Sequence, residues 1–304
     1  MMTMLRLGLI LAIAIAAAGC QEGFDSATLI TDIRVLGVQT DPAELTEGDS
    51  ALISALVALP DGEGDIQYSW ELCVLNDGPD NAYQCRNDVL GLPEDVFDLG
   101  SAPTAEFTYD FDASQLQAMC NAALAEVDNL PDFVELPDCD RGFEAIVRLT
   151  VNDGTEEKVA IKRLFLWFRE PTELEENHNP EIESVQVAGT EVGEAEAIPA
   201  VAGGLVTFDV LVDEDSVERF APDDEPERAE EILWSWHSTA GEWNTRFTFT
   251  DSGRVALTEA AANSLQLPDD LEVGELVFVH VVVRDGRGGS DWVTRVIEVR
   301  EPPQ

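Results

Sequence analysis

Residues 30–168 and 180–299 carry the same succession of short segments in which apolar and polar residues alternate. That succession limits the fold more than any other feature of the chain. In the first unit "ITDIRVLGV" (30–38) is followed by "GDSALISALVAL" (48–59), "IQYSWELC" (66–73), "GFEAIVRLTVNDG" (142–154) and "VAIKRLFLWF" (159–168). In the second, "PEIESVQV" (180–187) is followed by "GGLVTFDVLVDED" (203–215), "ILWSWHS" (232–238), "ELVFVHVVVRDGRGG" (275–289) and "WVTRVIEV" (292–299). The match holds in register: Tyr68-Ser69-Trp70 against Trp234-Ser235-Trp236, and Val151-Asn152-Asp153-Gly154 against Val283-Arg284-Asp285-Gly286. Side chains of an extended strand alternate between its two faces. Val206, Phe208, Val210 and Val212 therefore share one face, as do Val277, Val279, Val281 and Val283, and Phe143, Ala145, Val147, Leu149 and Val151. Asp153-Gly154 and Asp285-Gly286 fall where hairpins must reverse, and Asp-Gly predicts a type I′ turn. Many short strands with one buried face each predict an all-β chain of two tandem β-sandwiches.

The tryptophan on a middle strand and the late "V-x-V-x-D-G-x-G-G" hairpin resemble bacterial immunoglobulin-like domains of the PKD and cadherin-like kind. The resemblance implies an immunoglobulin-like sandwich over 29–170 and another over 181–301, with 171–180 between them. One departure matters. Antibody-type domains join their sheets by a cysteine pair on the second and sixth strands, yet neither 50–59 nor 143–151 contains cysteine. Trp70 and Cys73 also differ in parity, so disulfides here pin an insertion rather than the sandwich core.

From Trp70 to Asp153 is 83 positions and from Trp236 to Asp285 is 49, so the first unit is longer by 83 − 49 = 34 residues. The surplus places an insertion at about 76–140. It contains "DASQLQAMCNAALAEV" (112–127), which predicts a helix: Asp112 or Ser114 caps its start, and Leu116, Met119, Cys120 and Ala123 recur at helical spacing. The second unit has a smaller acidic insertion at 213–231. The segment "REPTELEENHNP" (169–180), polar and bracketed by prolines, reads as a linker.

The amino terminus points to export. Arg6 precedes "LGLILAIAIAAA" (7–18), an apolar run of 12 residues. At 1.5 Å per residue it is too short to span a hydrocarbon core of about 30 Å. Ala17, Ala18 and Gly19 then lead into Cys20, which resembles the bacterial lipobox; Ala17 stands where that pattern most often has Leu. The resemblance implies a signal peptide over 1–19, a tether over 20–28, and acyl chains such as palmitate on Cys20. Gln21 rather than Asp after the cysteine implies sorting to the outer membrane. Several acyl chains give a stable anchor where one would be marginal. With Cys20 set aside, Cys73, Cys85, Cys120 and Cys139 form an even set, which in an exported chain predicts two disulfides. Three pairings are open; 73–85 and 120–139 join nearest neighbours. With no C-x-x-C and three histidines, a zinc site is not expected.

Seventeen Lys and Arg against 61 Asp and Glu give 17 − 61 = −44. Such a surface excludes nucleic acid as a partner. Calcium is the one cofactor the acidic clusters bring forward. "EENHNP" (175–180) resembles the junction segments of cadherin-like domains, and Asp213, Asp215, Asp223 and Asp224 supply hard oxygens. G-x-S-x-G and H-E-x-x-H are absent, His178 lies in the linker, and His237 and His280 occupy strand positions, so no catalytic set is predicted. Trp234, Trp236 and Trp243 cluster, and Trp243 is the candidate to stack on a glycan or protein partner. The expected role is a non-catalytic adhesion, scaffolding or envelope-assembly lipoprotein held to the membrane and touching an envelope protein or polysaccharide. The alternative is a carbohydrate-binding accessory protein or enzyme subunit.

Overall fold

A computed structural model describes residues 27–62, 64–86, 97–126, 139–221, 226–251 and 254–302. The first sandwich is built from β1 (Arg34–Asp41), β2 (Glu44–Leu45), β3 (Ser50–Ala58), β4 (Gln67–Cys73), β5 (Asp98–Gly100), β6 (Ala105–Thr108), β7 (Gly142–Asn152) and β8 (Glu157–Trp167). One sheet has the order β1-β3-β6 and the other β2-β8-β7-β4-β5. Every pairing is antiparallel except β2 with β8. Inward positions follow the period-2 pattern: Ala145, Val147, Leu149 and Val151 of β7 are fully buried beside Trp70 of β4, in one core with Ala51 and Ile53 of β3. Trp70 satisfies its indole N–H by donating to Ala102 O at 2.9 Å.

The second sandwich repeats this plan with β9 (Ile182–Val187), β10 (Thr190–Glu191), β11 (Ile198–Ala200), β12 (Leu205–Val212), β13 (Arg219–Phe220), β14 (Arg228–Ala229), β15 (Leu233–Ser238), β16 (Glu242–Trp243), β17 (Phe247–Phe249), β18 (Ala262–Gln266), β19 (Leu276–Arg284) and β20 (Ser290–Val299). Its sheets run β10-β9-β12-β18-β16 and β11-β20-β19-β15-β17. Strand for strand, β9-β12-β18 corresponds to β1-β3-β6, and β11-β20-β19-β15-β17 to β2-β8-β7-β4-β5. Both units pair a short strand parallel to their last strand. Two immunoglobulin-like sandwiches in tandem are thus the architecture, and the sequence repeat is a repeat of topology.

The insertion differs from its predicted span. β5 and β6 lie inside 76–140, yet β5 pairs with β4 and β6 with β3, just as β17 pairs with β15 and β18 with β12. The surplus chain therefore falls in two pieces. The first follows β4 and is closed by Cys73–Cys85. The second follows β6 and holds α1 (Ala113–Glu126) and Cys120–Cys139. Asp112 caps α1 by accepting from Ser114 N at 2.9 Å and Gln115 N at 3.2 Å. The acidic insertion of the second unit forms a short 3-10 turn at Glu214–Ser216 and the β13-β14 ribbon, while α2 (Leu257–Ala260) precedes β18.

Both Asp-Gly hairpins exist, but not as two-residue type I′ turns. Asn152 pairs with Glu157 and Arg284 with Ser290, leaving loops of four and five residues. Only the glycines take positive φ, +90° at Gly154 and +77° at Gly286. The aspartates instead bend the chain by accepting backbone N–H bonds: Asp153 from Thr155 and Glu156 at 2.8 Å, Asp285 from Arg287 at 2.7 Å and Gly288 at 2.9 Å.

Candidate functional site

The two sandwiches meet face to face. On β1 and β3 the residues that point away from the first core, Leu36, Leu56 and Ala58, pack with Ile30 against Val282 and Trp292 of the second unit. Gly37 is a required close approach, because a Cβ there would lie 3.2 Å from the Trp292 ring. Just before β1, Ile30 N donates to Ser238 O and Ser238 N to Thr28 O, both at 2.9 Å. The chain entering the first sandwich is thereby stitched to β15 of the second. One signal for this seam was present in the sequence. Val281, Val282 and Val283 are all buried, and three successive buried residues on a strand require cover on both faces.

Beside the apolar seam lies a charged one, built where the β19–β20 hairpin grips the linker. Arg287 donates to Glu230 Oε1 at 2.8 Å, to Glu218 Oε2 at 3.2 Å, and to the carbonyls of Glu175 and Glu176 at 2.7 Å, with its guanidinium 4.8 Å from the Phe220 ring centroid. Buried Asp285 accepts from Asn177 Nδ2 at 3.1 Å. Asn179 donates to Thr40 O at 2.8 Å and accepts from Ser290 N at 3.0 Å, bridging the units. Lys162 of β8 donates to Gly288 O, and His178 pairs with Glu218. Burial pushes the Glu230 carboxyl up to about 7, against the pull of Arg287, and pushes Lys162 down to about 8. Bonding to Glu218 raises the His178 pKa.

This junction does not fit the calcium expected from "EENHNP". The carboxylates of Glu218 and Glu230 are turned onto Arg287, and that of Glu175 onto Arg169 at 2.9 Å and closer contact, which holds it down to about 2. Asn177 Oδ1 is buried without a partner, but one oxygen is far from the six to eight a calcium ion takes. Elsewhere, Asp213 is used as a cap, accepting from Asp215 N at 3.0 Å, and Asp223 and Asp224 lie outside the described residues. Among the described residues no group of three or more His, Cys, Asp or Glu side chains is disposed to hold a metal.

Trp243 is a correction. It is 5% exposed and packs between Phe208 and Trp236, with ring centroids 5.7 and 5.1 Å away. Pairing of β16 with β18 sets it opposite Leu265 and turns it into the core. Trp234 and Trp236 are core anchors too, donating to Val210 O at 2.9 Å and Thr248 Oγ1 at 3.0 Å. Among the described residues the exposed phenylalanine rings are instead Phe247 and Phe249, on edge strand β17. His237 and His280 sit opposite each other on β15 and β19, on the face that the first sandwich covers, and burial lowers both to about 4. Cys73–Cys85 and Cys120–Cys139 are the disulfides, with Cα separations of 5.0 and 5.7 Å. Cys20 lies outside the described residues.

No family model matches the chain. No curated protein matches it either. Solved structures do. The N-terminal Ig1-2 module of the Drosophila receptor protein tyrosine phosphatase DLAR is 9% identical over 89% of this chain and 100% of its own, with a TM-score of 0.24. Three N-terminal domains of the bacteriophage RB49 outer capsid protein Hoc are 10% identical over 89% of this chain and 71% of theirs, at 0.23. A nucleoside hydrolase-related protein from Saccharophagus degradans is 18% identical over 44% of this chain, at 0.25, and the match spans 28% of that protein. Likenesses this distant carry no argument, and the immunoglobulin-like fold stands on the strand order above.

Proposed function

We propose that the chain is a non-catalytic lipoprotein module, acylated at Cys20, that holds an envelope partner at the outer membrane. The observation that carries this reading is the locked junction. An apolar seam and the Arg287 cage bind the sandwiches to each other and to the linker, which makes one surface of fixed shape. A fixed two-domain surface suits adhesion or assembly. Within the Arg287 cage the charges are turned onto one another: Arg287 holds Glu218 and Glu230. The tether adds support. Ala27 lies seven positions after Cys20 (27 − 20), a reach of at most about 25 Å, and the residues after Ala27 are fastened to both sandwiches. Among the described residues no helix is long and apolar enough to cross a membrane.

The test is Cys20→Ser in the native host, followed by palmitate labelling and detergent-phase partitioning. The reading expects labelling to vanish and the protein to move to the aqueous phase. A Cys20→Ser protein still labelled or still firmly membrane-bound refutes the anchor.

A further inference from the structure

The grooves beside the seam have a charge opposite to that of the rest of the molecule. One, of about 560 Å³, is lined by Arg34, Lys158, His237, Arg246, Phe247 and Arg284 among others. The next, of about 400 Å³, shares Val35, Leu36 and Arg284 with it and adds Lys162 and Arg163. Together they gather six of the 17 Lys and Arg in the chain and one of its 61 acids, Asp32.

That single acid is already shared. Asp32 pairs with Arg34 at 3.0 Å and Lys158 at 2.7 Å. Arg284, largely buried, donates only to neutral oxygens, Ser235 Oγ at 3.1 Å and Leu36 O at 2.5 Å. Arg246 lies over the Phe247 ring at 4.6 Å. Among the described residues no carboxylate is within ion-pair distance of Arg246 or Arg284. A partly buried guanidinium with no counter-charge is a standing cost, and a carboxylate, whose planar fork matches it, removes that cost. His237, on the wall of the same groove, has a buried Nδ1 with no hydrogen-bond partner. Burial depresses its pKa to about 4, so the ring is neutral at pH 7 and supplies no competing positive charge to the groove wall. Phe247 lines the groove, and Phe249 stands exposed on the same side of β17, about 7 Å further along the strand.

We propose that this groove binds a short saccharide carrying one carboxylate: the acid group on the unpaired arginines and sugar faces on the phenylalanine rings. The volume is that of a small-ligand site. An extended polyanion is disfavoured, because beyond a Debye length of about 8 Å it meets a surface of net charge −44, whereas one carboxylate inside the groove meets the local arginines. The aromatic rim favours a sugar over an acidic peptide. This inference does not depend on the lipid anchor.

The matched probes are cellobiouronic acid and cellobiose, which differ by one carboxylate, with Glu-Glu dipeptide as the peptide control. Titration calorimetry of the mature chain should show cellobiouronic acid binding at least tenfold tighter than cellobiose or the dipeptide, and weakening as salt rises. Arg246→Ala and Phe247→Ala, both at exposed side chains, should each weaken binding about tenfold without changing the melting temperature. Absence of binding at millimolar cellobiouronic acid overturns the proposal. So does equal affinity for cellobiose or the dipeptide, or an affinity indifferent to Arg246→Ala.

Discussion

Arg287, on the hairpin of the second sandwich, donates to the buried Glu230 carboxylate at 2.8 Å while its other arm holds the linker carbonyls of Glu175 and Glu176. One side chain thereby fixes the hairpin, the acidic insertion and the linker together. Removing the guanidinium leaves the buried Glu230 carboxyl and the two linker carbonyls without their donor, which costs about 1–3 kcal/mol. Arg287→Ala should lose stability of that order in urea unfolding, and its linker should become protease-sensitive. An unchanged midpoint would mean that the cage is ornamental.

Because burial raises Glu230 to about 7 from an ordinary 4.5, the native state holds its proton across that window. Its contribution to stability is full below about 4.5 and declines as pH rises to about 7. Glu230→Gln keeps the shape and should flatten that decline in pH-dependent unfolding. A wild-type and variant slope that coincide would contradict the assignment.

His280 works in the opposite direction. Burial lowers it to about 4 from 6.5, so the unfolded chain takes up a proton first as the solution is acidified. Its contribution is present above about 6.5 and lost as pH falls towards 4. His280→Gln should reduce the acid sensitivity between those values, read by thermal melts at pH 4.5 and 7.

Trp243→Ala should act on stability, not on recognition. Deleting a buried indole packed on Phe208 and Trp236 costs about 3–5 kcal/mol. A variant that melts like the wild type would return Trp243 to the surface.

The two disulfides should differ in consequence. Cys73 is fully buried at the end of β4, so replacing Cys73 and Cys85 with Ala should destabilise the first sandwich by about 2–4 kcal/mol. Cys120–Cys139 anchors α1 outside the sheets, so its removal should chiefly lower amide protection in α1. Equal losses of global stability would contradict that division.

The long strands were legible because β7, β12 and β19 each bury a simple alternation of apolar residues. β5 and β6 were not: "DLG" and "AEFT" are too short and too polar to stand out, so the pattern alone makes the insertion look continuous. Trp243 was misplaced for a similar reason, since a two-residue strand has no period to read. The junction depends on partners far apart in sequence, 108 positions for Asn177 and Asp285 and 57 for Arg287 and Glu230, and no local pattern encodes such pairs. Only the valine run at 281–283 hinted that the outer face of β19 is covered.

The sandwiches form one unit across the seam of Leu36, Leu56, Val282 and Trp292. Residual dipolar couplings on the mature chain test it most directly. One alignment tensor should fit the amides of both sandwiches, and Leu36→Glu should split it into two. Two independent tensors in the wild-type protein would contradict the account.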